Sequence, residues 1–382
     1  MRAPEGSTFL APLVATKKVL VCCGAGGVGK TTTSAALGFA AGLAGRRALV
    51  LTIDPARRLA EAMGIPAGSR EPVRVPRERL VAAAETYRPG GTVGDVDAWM
   101  LAPAVVFEEL VRRVAPDPER ARVVLSSRLY RHLSEVVAGM QEYTAAEALY
   151  SLSSSGKYDL IVLDTPPSRN ALAFLEAPRK LSMFLDERVL GLFLPGAEKR
   201  GFVYGGAAAV VRNVFTRVLG ESFWAELQEF LERFSSMFDP MRQHAGSVRE
   251  LLRSDQTAFV LVSSPEPGAL REAAFFEEKL RELELPFEGT VLNRSWAYTR
   301  GLEHPSALGD SDVELRVVEK MRPLAVQELA RAERDRKLLG LLRDRQRGKP
   351  AVATPHLTTE LDDLAGLVSL AAHLIGEGRD LA

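Results

Sequence analysis

Short, nearly unbroken apolar runs recur along the chain, separated by longer stretches whose apolar residues return every three or four positions. Val19–Cys23, within a first strand expected over Lys17–Cys23, is of the first kind, as are Ala48–Ile53, Tyr158–Leu163, Ala258–Ser263 and Ala351–Thr354, and another strand is expected at Phe287–Leu292. Runs of this length without alternation predict parallel strands covered on both faces. A further strand is expected around Leu80–Ala84. Helices are expected over Lys30–Ala44, Arg57–Met63, Asp97–Ala115, Glu119–Ser155, Ala171–Gln256, Leu270–Glu282, Gly309–Gly348 and Leu361–Leu374. Within the Ala171–Gln256 zone a break is expected at the glycine-rich Gly201–Gly206.

Strands alternating with helices predict an α/β fold with a doubly wound, mostly parallel sheet. Residues 1–16 read as a flexible tail. Residues 17–382 read as a single domain, with helical insertions at about 95–155 and 171–256 that form a subdomain. In the second insertion Trp224, Leu227, Leu231, Phe234 and Phe238 make an apolar stripe at helical spacing. With Met183, Met237 and Met241 nearby, it suits either a subdomain core or a groove for an apolar client helix.

Composition narrows the picture by exclusion. Formal net charge is zero over 382 residues, so no general attraction to nucleic acid or acidic membranes is expected. No apolar run reaches the length of a membrane span, and no stable membrane insertion is expected. The two cysteines, Cys22 and Cys23, are adjacent on a predicted strand. They point to opposite faces and suit neither a disulfide nor a shared metal. Together with the lack of a secretory signal, this predicts a cytoplasmic setting. The five histidines show no metal spacing.

One motif carries the chemistry. Gly24-Ala25-Gly26-Gly27-Val28-Gly29-Lys30-Thr31-Thr32 lies between the first strand and the first helix. It satisfies G-x-x-x-x-G-K-[ST], the phosphate-cradling P-loop. Backbone N–H groups and the helix N-terminus would hold a triphosphate. Lys30 would reach the β- and γ-phosphates, and Thr31 would ligate Mg²⁺. Ligands of open α/β sheets bind at the carboxyl ends of strands. Two carboxylates stand at such ends. Asp164, in L-D-T-P-P, suits the metal side, directly or through water. Asp54, in T-I-D-P-A, suits orientation of the attacking water.

Taken together, G-A-G-G-V-G-K-T-T, D-P-A, D-T-P-P and V-L-N resemble the ArsA-type deviant-Walker P-loop ATPases. That family contains the arsenite-pump ATPase and the targeting factor for tail-anchored membrane proteins. The resemblance implies a P-loop NTPase fold, ATP and Mg²⁺ as ligands, and a dimer that ATP closes and hydrolysis opens. It places Asp54 in switch I, Asp164 in switch II and Asn293 at the adenine, with Pro355, in Thr354-Pro355-His356, as a second adenine wall. It also implies an apolar protein client for the helical insertions.

Departures from the family pattern matter. The family motif begins G-K-G-G, with a lysine that crosses the dimer to the partner's phosphates; here that position is Ala25. Loss of a trans cation costs about 10³–10⁵ in rate where an arginine finger is removed. Slow hydrolysis is therefore expected, or a heterodimer in which a lysine-bearing paralogue supplies the cation to a weakly or non-hydrolysing subunit. Arg57 and Arg169 are candidate substitutes. Switch II reads Ser168-Arg169-Asn170 in place of the family's T-G-H-like run. Without a thiolate cluster, an arsenite-pump role is not expected. A DNA- or membrane-bound partitioning ATPase is not expected either, because it needs a basic surface or a terminal basic amphipathic helix, whereas the last helix carries Glu360, Asp362, Asp363 and Glu377.

Overall fold

The expected apolar runs become the strands of one sheet because their residues are buried on both faces. The computed structural model describes residues 9–53, 60, 63–66, 69–85, 89–127, 140–166, 168–186, 190–194, 202–297, 312–346, 348–355 and 364–376. In chain order the elements begin with α1 (Leu10–Thr16), β1 (Val19–Cys23), α2 (Lys30–Leu43), β2 (Ala48–Thr52), β3 (Val73–Arg74), α3 (Arg77–Glu85) and β4 (Val96–Met100). They continue with α4 (Pro103–Val114), α5 (Pro118–Ser126), α6 (Met140–Ser154), β5 (Leu160–Asp164), α7 (Ser168–Phe184), α8 (Phe202–Leu219), α9 (Glu221–Phe234) and α10 (Phe238–Arg253). The last are β6 (Thr257–Ser263), α11 (Pro267–Glu282), β7 (Phe287–Ser295), α12 (Asp312–Arg345), β8 (Ala351–Pro355) and α13 (Leu364–Ile375).

Two compact units result. Met1–Met100, Ser155–Ala171 and Arg253–Ala382 form the first, and Leu101–Ser154 with Leu172–Leu252 the second. The first unit holds an eight-stranded sheet of order β3-β4-β2-β5-β1-β6-β7-β8. Every pairing is parallel except β3 with β4. This is the α/β P-loop NTPase-like fold. From β1 the chain runs to β2 on one side, then crosses from β5 over β1 to β6 on the other. That reversal makes the carboxyl end of β1 the topological switch point.

All residues of β1, β2, β5 and β6 are buried. Helices α2 and α13 cover one face, contributing Leu37, Phe39, Leu367 and Leu374 to a shared core. The register is specific: Cys22 and Thr52 both pair with Asp164. The end of β5 is therefore held level with the ends of β1 and β2.

Three expectations change here. The run around Leu80–Ala84 is helical: it lies in α3, where Leu80 and Ala84, one turn apart, are both 1% exposed. The strand lies at Val96–Met100 instead, inside a stretch expected to be helical from Asp97. Asp97 disguised it. This carboxylate is buried, accepts from the Tyr158 hydroxyl at 2.8 Å and pairs with Arg74. Finally, part of the expected tail is the helix α1, which buries Leu10 and Val14. Pro12 sits in its first turn, where the missing N–H costs nothing.

The second unit is helical. Its core joins Phe107, Leu110 and Val111 of α4 to Leu231 and Phe234 of α9 and Phe238 and Met241 of α10. The stripe from Trp224 to Phe238 thus packs inward, with Phe234 stacked on Phe230 and edge-on to Phe238. The Gly201–Gly206 break is also absent over its described residues: α8 runs through Gly205 and Gly206. Inside this unit Glu147 is buried. It accepts from Arg113 at 3.0 Å and faces His244 Nδ1 at 2.7 Å. The expected helix Arg57–Met63 lies almost entirely outside the described residues, as do residues 128–139 of Glu119–Ser155. Among the described residues, no helix is long and apolar enough to cross a membrane.

Candidate functional site

Beyond Cys23 the chain leaves the sheet at Gly24, and the neighbouring strand dictates that residue. A Cβ at Gly24 would lie 2.0 Å from the Val262 carbonyl oxygen of β6. Gly26 and Gly27 form the exposed tip, and Val28 turns back into the core. Gly29 caps α2 in the left-handed region at φ 89°, which favours glycine. Ala25 sets a methyl group, 6% exposed, into the core beneath the loop.

Lys30 opens α2 and curls over the loop. Its Nζ donates to the Ala25 carbonyl at 2.8 Å, and the residue is 7% exposed. Next to it the Thr31 hydroxyl donates to Asp164 Oδ2 at 2.7 Å. Thr52, at the end of β2, donates to the same oxygen at 3.0 Å. Asp164 is fully buried. The following residue, Thr165, donates from its hydroxyl to the Cys22 carbonyl at 2.8 Å. β5 is thereby tied to β1 at the point where the chain departs toward α7.

Hard oxygen donors from a hydroxyl and a carboxylate suit Mg²⁺, which keeps most of its coordination for water and phosphate. Thr31 and Asp164 fit such an ion. Softer chemistry is not available from the cysteines. Burial pushes the Cys22 thiol up to about 12 and the Cys23 thiol higher still. Neither is a thiolate at neutral pH, the form that binds metals or attacks.

From the far side of the loop comes Asn293, at the end of β7. Its Nδ2 donates to the Val28 carbonyl at 2.8 Å, and its Oδ1 accepts from the Thr354 hydroxyl of β8 at 2.5 Å. An amide offers two N–H donors and a carbonyl with two lone pairs. These two bonds fix its orientation and use one donor and one lone pair. Pro355 follows Thr354 and pairs with Ser295 in register.

The structure therefore brings Gly24–Thr32, Asp164, Asn293 and Pro355 to the same end of one sheet. Asp54 and Arg57 lie outside the described residues, as does His356. Arg169 is described only as backbone in the first turn of α7. Sequence reading quoted Thr52, Thr165 and Thr354 inside its motifs but gave no role to their hydroxyls, which stand at or just beyond strand ends. Their position at those ends was the available signal. It missed Arg294, whose Nη1 donates to the Gly27 carbonyl at 3.3 Å. Nothing in the sequence signals that contact.

A family model described as Anion-transporting ATPase matches residues 17–301. The chain belongs to this family. Among its relatives is a "Putative arsenical pump-driving ATPase 1" of Aquifex aeolicus, 23% identical over 67% of this chain and 58% of the relative. An "ATPase ASNA1 homolog 1" of Paramecium tetraurelia is 23% identical over 73% of this chain and 75% of its own length. An "ATPase GET3" of Malassezia globosa is 26% identical over 53% of this chain and 56% of its own length. The chain thus spans little more than half of the first and last of these relatives. The match to the Anion-transporting ATPase family covers the whole P-loop, Asp54, Asp164 and Asn293.

Proposed function

We propose that this chain is a Mg²⁺-dependent ATPase, acting in the cytoplasm as a dimer whose nucleotide state reshapes the helical unit for an apolar protein client. The observation that carries the reading is the meeting of Lys30, Thr31 and Asp164 at the carboxyl ends of β1 and β5. Backbone N–H groups of Gly24–Thr32 and the start of α2 bind the triphosphate. Lys30 stabilises charge on the β- and γ-phosphates. Thr31 and Asp164 would hold the ion, Asp164 directly or through water. Mg²⁺, when bound, neutralises charge on the phosphate oxygens. Asp54 positions water for in-line attack on the γ-phosphate. Asn293 offers its remaining donor and acceptor to adenine, and Pro355 walls the base.

Hydrolysis reaches the helical unit along the chain itself. Asp164 and Thr165 precede α7, whose residues from Leu172 onward belong to that unit. A client surface is supported by α8, where Val210, Val214 and Val218 are 63%, 55% and 74% exposed at four-residue spacing.

A second reading draws support from Ala25, whose buried methyl group offers no charge to a partner. In it the chain is a weakly hydrolysing member of a heterodimer. Steady-state ATPase assays of the chain alone, with a lysine-bearing paralogue and as Ala25→Lys separate the two. Rapid hydrolysis alone, unchanged by Ala25→Lys, removes the heterodimer. For the primary reading, Lys30→Ala is expected to abolish turnover and Asp54→Asn to slow it strongly. An Asp54→Asn protein at the wild-type rate would take Asp54 out of its role. A wild-type chain that binds no Mg–ATP would end the ATPase reading.

A further inference from the structure

β7 does not finish as a regular strand. Its register with β8 slips between Leu292 and Ser295, and Asn293 and Arg294 occupy the slip. Such irregularities re-aim side chains at strand ends. Asn293 and Ser295 are 8% and 2% exposed, whereas Arg294 between them is exposed. Its backbone lies in the left-handed region, at φ 56°, and among the described residues Glu284 is the other non-glycine residue there. Arginine gains nothing locally from that conformation, so the fold imposes it. Strain of this kind gathers at ligand-binding positions.

The consequence is a guanidinium at the mouth of the phosphate loop. Arg294 Nη1 donates to the carbonyl of Gly27, the exposed tip residue, at 3.3 Å. Lys30 reaches the same loop from the helix side, through the Ala25 carbonyl. Two cations thus converge on one loop. A guanidinium has five N–H donors in a planar fork, of which Gly27 takes one. The rest match phosphate oxygens in charge and geometry.

We infer that Arg294 is a nucleotide-binding residue that contacts the phosphate chain from the rim of the loop. The inference rests on the nucleotide site proposed above and adds to it a cation that the motif does not contain.

Calorimetry on the full chain tests it, with Mg–ATP, Mg–ADP and adenosine as probes at low and high salt. The informative variants are Arg294→Gly and Arg294→Lys. Glycine takes a positive φ without strain, so Arg294→Gly removes the charge while favouring the observed backbone, and thermal melting checks its fold. A charged hydrogen bond of ordinary strength predicts that Arg294→Gly weakens Mg–ATP binding about ten- to a hundredfold. Mg–ADP binding falls less and adenosine binding is unchanged. Arg294→Lys recovers part of the loss, and the gap between wild type and Arg294→Gly narrows at high salt. Unchanged Mg–ATP affinity in a folded Arg294→Gly protein overturns the inference and leaves the nucleotide site intact. Equal losses for Mg–ATP and adenosine also overturn it, by placing the side chain at the base or in the fold. A wild-type chain that binds none of the probes overturns both readings together.

Discussion

Asn293 occupies the space that a side chain on Gly29 would need. A Cβ built there would lie 2.1 Å from Asn293 Nδ2. The same nitrogen donates to the Val28 carbonyl at 2.8 Å. The glycine before Lys30 is thus demanded by the end of β7 as well as by the phosphates it would hold. Gly29→Ala meets both this contact and an unfavourable positive φ. It is expected to cost about 1–3 kcal/mol, read by urea denaturation. Asn293→Ala removes the clash and not the backbone strain. The double variant is therefore expected to recover part of the loss, and strict additivity would show that the two residues are not coupled.

Asp164 gathers two hydroxyls, Thr31 and Thr52, on a single oxygen. If it orients Mg²⁺ through water, Asp164→Asn keeps its shape and loses the charge. The Mg²⁺ concentration for half-maximal ATPase activity should then rise about 10–100-fold. A Mg²⁺ titration unchanged by the substitution would leave Asp164 as a structural acceptor alone.

Glu147 is the buried centre of the helical unit's polar cluster, between Arg113 and His244, with Arg113 also donating to Ser151 at 2.9 Å. Arg113 is 43% exposed and can turn to water when its partner is lost, so the cost lies in the lost hydrogen bonds and packing. Glu147→Ala is expected to cost about 1–3 kcal/mol. Glu147→Gln, which keeps an acceptor, should cost less. Hydrogen exchange along α6 and α10 would report the loss, and a change below about 0.5 kcal/mol would contradict the cluster's role.

Asp159 joins the start of β5 to the residue before β2. It accepts from the Arg47 backbone N–H at 2.9 Å and pairs with the guanidinium at 2.7 Å. These hydrogen bonds hold its carboxyl down at about 2. A depressed carboxylate stabilises the fold at pH above its unfolded value, about 3.9. That contribution is lost as pH falls toward 2. The pair is largely exposed, so its worth is small after screening. The melting temperature of Asp159→Asn should therefore sit slightly below wild type at pH 6, with the gap closing as pH falls below 4. A gap that widens on acidification would reverse the assignment.

Val210, Val214 and Val218 form one exposed row on α8. Val214→Asp should weaken capture of an apolar helical client peptide by about tenfold, the worth of one buried valine, without altering Mg–ATP affinity. Equal capture by the variant would place the client elsewhere.

The P-loop, the parallel strands and Asp164 were legible in the sequence because each rests on local constraints. Glycine and lysine at this spacing, between a strand and a helix, mark the loop, and most of the apolar runs became interior strands, whereas the run at Leu80–Ala84 became helix. Val96–Met100 was not legible as a strand, because Asp97 looks like a solvent-facing residue until Tyr158 and Arg74 are seen beside it. The Trp224–Phe238 stripe was ambiguous because helical spacing marks an apolar face without saying what covers it. Packing against α4 and α10 makes it core and leaves the exposed valines on α8. The arrangement around the loop was decided by tertiary structure alone. Thr52, Asn293, Arg294 and Thr354 are distant in sequence and meet the motif only because β1 lies between β5 and β6, with β7 and β8 beyond. Which groups stand in the loop was written locally; what holds them in register with their neighbours is the long-range order of the strands.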